Sequence, residues 1–400
     1  MRNRAKIPFF LALRSIKRGN KWTFLLIICL ITVAFINLVF ISSLFSGIIE
    51  MSNNQIIDTY TGHISLTPKD GGNYLTGKND LIKKIDKTEN VVAASPQLVV
   101  PASAEYKNIK ANVPIFAINP TEENRVTNIY SKMSEGKYLE PDDKYQIIIG
   151  SEIAGKEQAN ASTISFKGAN VGDKVNLVVN GKEYEFTIKG IFYTKFMFTD
   201  RVAFINQKTW EEINPSAGGD VANTINIRIN DKKNIDSVKS SLEGQQIKAN
   251  FNKWEESLSF MKSINKTFDS LRLVLILIGA VIAAITIFIV IYVDVSDRRQ
   301  EIGILRAIGI GPSLIIMSYV LRALVYSIAG IVAGMLLFIF GFVPYFSAHP
   351  LPLPLGDASL VVDYKEIFLR IIVILTVAII SGFVPSYSVT KIKILDSIKK

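Results

Sequence analysis

The chain has 400 residues, 49% hydrophobic and only 20% charged, with a mean hydropathy of +0.29. That is too apolar for an ordinary soluble enzyme and too charged for a bare membrane bundle, so the protein must combine both kinds of part. A net charge of +10 suggests nucleic acid, but the basic residues flank apolar runs instead of covering a domain, which excludes that partner.

Arg2, Arg4, Lys6, Arg14, Lys17, Arg18 and Lys21 open the chain with no acid among them. Residues 7–18 set Phe10, Leu11, Leu13 and Ile16 among these charges, the pattern of an amphipathic helix on a membrane surface. Charge-free runs follow at 22–49, 273–293, 323–356 and 371–390. Each reaches the roughly 20 residues that a helix needs to cross the hydrocarbon core, and only helices satisfy their own backbone in lipid. The first run exceeds a signal-peptide core and lacks a small-x-small site after it, so it reads as an uncleaved anchor. Cys29, the one cysteine, lies inside it, and the segment beyond must be held by its own core without disulfides.

Segment 50–266 has the composition of a globular domain. A helical pattern through 46–60 carries the first span onward as a stalk. At the far end Trp254, Leu258, Met261, Ile264, Phe268 and Leu271 recur at steps of three and four, one apolar face of a second stalk. The two stalks are expected to pack on each other through Trp254, Leu258, Met261, Ile264 and Phe268. Between them strands are predicted at 62–67, 91–103, 113–118, 145–150, 174–179, 183–192 and 201–206. Asn180-Gly181 marks a hairpin, and Asn206 caps a helix containing Trp210. A strand at 224–229, a helix at 235–242 and a strand at 246–250 form a βαβ unit leading into the second stalk. Turn-rich loops fall at 68–77 and 215–219.

Little here suggests catalysis. Residues 72–78 (GNYLTGK) have the Gly-x4-Gly-Lys spacing of a phosphate loop, but Asn79 stands where a hydroxyl is needed for magnesium; the segment reads as a turn. His63 and His349, the only histidines, are separated by two spans. Asp142 and Asp143, like Glu255 and Glu256, are adjacent in sequence, as solvated charges are, and neither a metal-site spacing nor a nucleophile elbow occurs.

Segment 294–311 (DVSDRRQEIGILRAIGIG) is the most informative. Asp297, Arg298, Arg299, Glu301 and Arg306 alternate in charge; Ile302, Ile304, Leu305 and Ile308 supply a short apolar face. Gly309 and Gly311 stop the helix before Pro312. These residues allow a plain interfacial loop or a helix presenting its far side to a cytosolic partner. Arg298, Arg299 and Arg306 after the second span, with Lys391, Lys393, Lys399 and Lys400 after the fourth, place this loop and both termini in the cytoplasm and 50–266 outside. The proline-rich loop 348–355 reads as a rigid external turn.

The run Arg298-Arg299-x-Glu301-Ile302-Gly303-x-Leu305-Arg306-Ala307-x-Gly309 resembles the coupling segment of the FtsX/MacB/LolC-type permeases of ABC transporters. Residues 11–18, 136–139 (GKYL), 147–150 (IIIG) with Ile153-Ala154, 171–175 (VGDKV) and 186–191 (FTIKGI) follow the order of that family's N-terminal segment and periplasmic domain. Gly330-x3-Gly334 is similar to its small-residue stretch, and Pro385 precedes a basic tail. The resemblance implies an α-helical membrane protein with four transmembrane helices and a large mixed α+β extracytoplasmic domain on helical stalks. Its expected divisions are 1–21 (amphipathic helix), 22–47, 48–269 (domain and stalks), 270–293, 294–312 (coupling helix), 313–345, 346–365 (external loop), 366–390 and 391–400.

It further implies a non-enzymatic permease subunit with no cofactor of its own, ATP and magnesium being bound by two copies of a partner ATP-binding subunit. The permease would work as a homodimer or as a heterodimer with a related chain, and a periplasmic or outer-membrane partner fits the family. ATPase coupling falls to Arg298, Arg299, Glu301, Ile302, Gly303, Leu305, Arg306, Ala307 and Gly309. The cargo classes are lipoproteins, lipids, peptides and drugs. A division-type regulator that activates an extracellular cell-wall hydrolase, or a membrane sensor, is the alternative, although the outer domain is large for the former. Arg322 departs from the family, standing where many relatives carry a glutamate; it either snorkels to the interface or pairs with an acid such as Asp294.

Overall fold

A computed structural model describes residues 8–10, 12, 14, 21–69, 71–155, 164–215, 219–245, 247–257, 259–353 and 356–391. Of the predicted surface helix at 7–18, only Pro8, Phe9, Phe10, Ala12 and Arg14 are described, all helical. The chain divides into two compact units, one of residues 1–49, 265–351 and 358–400 and one of 50–264 and 352–357.

The described residues include four helices long and apolar enough to cross a membrane, Lys21–Thr61, Asn265–Asp297, Pro312–Ala348 and Tyr364–Thr390. The first unit is built on them, except for the end of Lys21–Thr61 beyond residue 49. Its interior brings together Ile31, Phe35 and Leu38 of the first, Ile287 and Ile291 of the second, Ile315 and Ala323 of the third and Ile374 of the fourth. Large apolar side chains such as Leu277, Ile282, Phe340 and Phe368 stay on the outside, as a surface facing lipid tails requires. Gly330 and Gly334 let the third span approach the first. A Cβ at either would sit 2.7 Å from Ile31 Cγ2 or Phe35 Cδ1 respectively. Thr32 Oγ1 uses that approach to donate to the Gly330 carbonyl at 3.1 Å, the small-residue packing that membrane helices favour. Glu366 joins the second and fourth spans, accepting Arg272 Nη2 at 2.8 Å and Arg370 Nη2 at 2.6 Å.

The second unit is sheet-rich. Its first strands are β1 (Ile64–Pro68), β2 (Leu75–Thr76), β3 (Val91–Val100), β4 (Ala102–Tyr106), β5 (Ile109–Ala111) and β6 (Ile115–Ile118). Then come β7 (Met133–Gly136), β8 (Gln146–Gly150), β9 (Lys174–Val179), β10 (Lys182–Phe192) and β11 (Ala203–Asn206). The last are β12 (Val221–Ala222), β13 (Thr224–Ile229) and β14 (Ala249–Lys253); β15 (Leu351–Leu353) and β16 (Gly356–Ala358) pair only with each other and each has one end residue in the first unit. Twelve of them form one mixed sheet in the order β14-β1-β13-β3-β6-β11-β8-β10-β9-β4-β5, with β7 on β10. One face of this sheet packs Ile115, Ile147, Ile149, Phe186, Ile188 and Trp210; a second core gathers Ile56, Leu66, Ile227, Leu242, Phe251 and Trp254. The β9–β10 hairpin turns on Asn180 (φ 48°) and Gly181 (φ 77°), both left-handed, as a type I′ turn demands.

Several expectations change. The strand predicted at 91–103 is two, β3 and β4, broken at Pro101, which has no N–H to give a ladder. The strand predicted at 246–250 begins later, at Ala249. β13 and β14 are not neighbours, because β1 lies between them and pairs antiparallel with both, so the βαβ unit is split by a distant strand. The helices Lys78–Asp86 and Pro120–Val126 and strands β5 and β7 went unforeseen. The loop between the third and fourth spans is more than a turn. Its 352–357 segment belongs to the sheet-rich unit, where Asp357 pairs with Lys195 Nζ at 2.8 Å.

Candidate functional site

The second spanning helix ends at Asp297, and a short helix, Arg299–Ala307, follows almost at once. Gly309 terminates it with φ +92°. The Ile310 N–H donates to the Leu305 carbonyl and the Gly309 N–H to that of Arg306, both at 3.0 Å, the paired bonds of a glycine-closed helix end. The third span then starts at Pro312. After this tight reversal the short helix lies against the fourth span, Tyr364–Thr390.

The apolar face predicted for this helix is divided. Ile302 is 1% exposed and Gly303 is buried, with Leu305 packed on the same core. Ile304 and Ile308 point the other way, 54% and 70% exposed. At about 100° per residue, positions 302 and 305 lie about 60° apart and 304 and 308 about 40° apart, the two pairs being centred roughly 110° from each other. Among the residues assigned to ATPase coupling, Arg299, Glu301, Ala307 and Gly309 are exposed and Arg306 is half-buried. Ile302, Gly303 and Leu305 face inward and seat the helix. Arg298 also turns inward, its Nε 3.4 Å from Asp294 Oδ1 and its Nη1 3.5 Å from Glu301 Oε2.

Asp294 is the hub beneath the helix. It is 6% exposed, and it accepts Arg322 Nη2 at 2.9 Å besides Arg298. Arg322, 4% exposed, also donates to the Tyr326 hydroxyl. Of the two placements open to Arg322, pairing with Asp294 is therefore the one adopted. One carboxylate thus ties the end of the second span to the third span and to the start of the short helix. Buried charges persist only when paired this way. The spacings Asp294-x3-Arg298 and Arg322-x3-Tyr326 carried the helical half of this signal, but the pairing across helices has no mark in one sequence.

The stalk stripe divides as well. Trp254 is buried in the sheet-rich unit beside Ile56 and Ile57, whereas Phe268 belongs to the membrane unit, its ring 6.4 Å from that of Phe45. Leu258 and the side chains of Met261 and Ile264 lie outside the described residues.

Among the ionisable groups that the sheet-rich unit buries, Glu123, Asp200 and His63 are each hydrogen-bonded within it. Glu123 is fully buried and accepts Ser95 Oγ at 2.7 Å, Gln97 Nε2 at 3.2 Å and Thr127 Oγ1 at 3.0 Å; burial pushes its carboxyl up. Burial raises Asp200 to about 6 even though the Thr194 N–H and hydroxyl both donate to it at 2.8 Å. His63 is lowered to about 4, chiefly by burial and then by Arg228 and Lys232, and its Nδ1 accepts the Ile229 N–H at 3.2 Å. These groups are dispersed and internally bonded, an arrangement that builds a fold rather than a catalytic centre.

The profile of the MacB-like periplasmic core domain matches residues 24–245, and that of the FtsX-like permease C-terminal domain matches 273–394. The ABC transporter permease YtrF of Bacillus subtilis (strain 168) is 27% identical over 259 residues, 60% of this chain. The match spans 57% of the length of that relative. The lipoprotein-releasing system transmembrane protein LolC of Neisseria meningitidis serogroup B is 23% identical over 343 residues, 81% of this chain and 80% of that one. The periplasmic region of MacB from Actinobacillus actinomycetemcomitans aligns with a TM-score of 0.35 at 14% identity, over 52% of this chain and 96% of that one.

Proposed function

We propose, from the premise that this chain belongs to the ABC transporter permeases built of a MacB-like periplasmic core domain and an FtsX-like permease C-terminal domain, that it couples ATP hydrolysis by a partner subunit to movement of its extracytoplasmic domain. The basic flanks put both termini and the short helix in the cytoplasm. There the helix Arg299–Ala307 docks an ATP-binding subunit, which holds the ATP and magnesium. Two permease chains, identical or related, engage two such subunits.

The observation that carries this reading is the division of the short helix. Its inner face is seated by Ile302, Leu305 and the Asp294 hub, and its outer face offers Ile304 and Ile308 beside Arg299 and Glu301. A small apolar stripe rimmed by charge is what a protein partner requires. A push on a helix fixed to the second and third spans moves those spans with it. The second span is one end of a continuous helix, Ser259–Asp297, that begins in the sheet-rich unit, and segment 352–357 gives that unit a further covalent link, to the third and fourth spans. The movement serves lipoprotein or lipid release, or export of peptides or drugs, from the outer side.

The test is co-purification of the tagged chain with its ATP-binding subunit in mild detergent, together with ATPase stimulation. The pair Ile304→Glu and Ile308→Glu alters only exposed positions and should abolish retention of the ATPase without lowering the melting temperature. Retention at the wild-type level would remove the short helix from the interface.

A further inference from the structure

The sheet-rich unit contains a cavity of about 580 Å³ whose lining includes Lys78, Asn79, Asn119, Glu122, Gln207 and Glu211. Its volume falls in the range of small-molecule sites, roughly 300–1,000 Å³, but its walls carry more charge and amide than such sites usually do. Lys78 is the lysine of the Gly-x4-Gly-Lys run at 72–78. The phosphate-loop reading fails on geometry. The Lys78 N–H donates to the Asp220 carbonyl at 3.1 Å and the Asn79 N–H to Asp220 Oδ1 at 2.8 Å. Those amides, which would cradle a phosphate, are already spent on an acid that would repel one.

The side chains are less fully used. Lys78 is buried, 6% exposed, and its ammonium meets one carboxylate oxygen, Glu211 Oε1, at 3.7 Å, too far for a hydrogen bond. Glu211 is held in place by Gln207 Nε2 at 2.7 Å. Glu122 is half-buried and makes no hydrogen bond or ion pair among the described residues; burial pushes its carboxyl up. A half-buried carboxylate that feels the Lys78 and Arg125 charges only at a distance, with no direct ion pair, and a buried ammonium with unspent donors both gain from a guest that brings closer partners.

We infer that this cavity binds a small polar molecule carrying a primary ammonium next to carbonyl or carboxylate oxygens, the chemistry of an amino acid or of a peptide's amino terminus. The ammonium sits on Glu122, with the free oxygen of Glu211 and the amide oxygens of Asn119 and Gln207 within the same lining. The ligand's carbonyl or carboxylate accepts from Lys78. One guest then completes both half-made sets. A phosphate or a simple anion would satisfy Lys78 but face two carboxylates, and a simple cation would leave Lys78 as it is. This site is independent of the ATPase-docking surface.

The experiment is calorimetric titration of the purified full-length chain with trialanine, N-acetyltrialanine and alanine. Trialanine should bind with a Kd of about 1 mM or tighter, and acetylation, which removes the ammonium, should weaken it at least about tenfold. Alanine binding as tightly as trialanine would identify a free amino acid as the guest; tighter binding of trialanine would identify a peptide terminus. Glu122→Gln is nearly isosteric and half-exposed, and should lose about tenfold in affinity with an unchanged melting temperature. Lys78→Met serves as the second variant and should lose a similar factor. The proposal is overturned if trialanine gives no heat up to about 10 mM, if the acetylated peptide binds equally well, or if both variants bind as the wild type does.

Discussion

Removing the Asp294 carboxylate should be among the most damaging single changes in the membrane unit. Asp294→Ala leaves Arg322 and Arg298 facing each other across the space where their shared acid stood, with Arg322 only 4% exposed. At an effective dielectric constant of about 20, a charge pair at 2.9 Å is worth roughly 6 kcal/mol gross and one at 3.4 Å roughly 5 kcal/mol. Desolvation consumes much of that, and removing one partner of such a buried set costs roughly 3–5 kcal/mol net. In a unit of this size that lowers the melting temperature by roughly 10 °C, measurable by fluorescence-monitored unfolding in detergent. Arg322→Met should cost less, because Asp294 keeps Arg298. The double variant Asp294→Leu/Arg322→Met should recover most of the loss, since an apolar pair of similar volume suits that depth. If Asp294→Ala melts like the wild type, or the double variant is no more stable than Asp294→Ala, the hub is not what braces the short helix.

Two further outcomes follow from single groups. Asp200, raised to about 6 from 3.8, contributes stability that is complete below its unfolded value and lost as pH rises through about 6. Asp200→Asn should therefore gain on the wild type between pH 4 and 6, by up to about 3 kcal/mol, in paired melting curves. Parallel curves would refute the assignment. His63, lowered to about 4 from 6.5, runs the other way, its contribution lost as pH falls through about 4. In the membrane, Gly330→Ala should cost about 1–3 kcal/mol, because its Cβ would lie 2.7 Å from Ile31. Gly341→Ala, with nothing within 4 Å of its Cβ, is the matched control and should melt within a degree or two of the parent.

Much of the architecture was open to reading because local chemistry dictates it. An apolar run of about 20 residues has no soluble alternative to a membrane helix, and Asn180-Gly181 or Asn206 signals a turn or a cap through its own backbone and side chain. The glycine stop at Gly309 follows the same logic, since a left-handed residue closes a helix whatever surrounds it. Segment 294–311 stands out by its pattern of residues, but its two faces are merged in that pattern, because Ile302, Ile304, Leu305 and Ile308 differ only in which neighbour they meet.

The rest needed the fold. No spacing predicts that β1, more than 150 residues upstream, slides between β13 and β14. Nor does any predict that Lys78 and Glu211 line one cavity, or that 352–357 joins a domain the chain left before its second span. Strand pairing and buried charge are long-range choices, made by whichever partner excludes water best, and their energy depends on geometry that a linear pattern does not contain. The sequence by itself determined the spans, the inserted domain and the glycine stop before the third span, because each rests on hydrophobic length or local backbone rules. Only the tertiary structure decided that Arg322 pairs with Asp294, that Ile304 and Ile308 face outward, and that a turn-like Gly-Lys run ends in a buried ammonium.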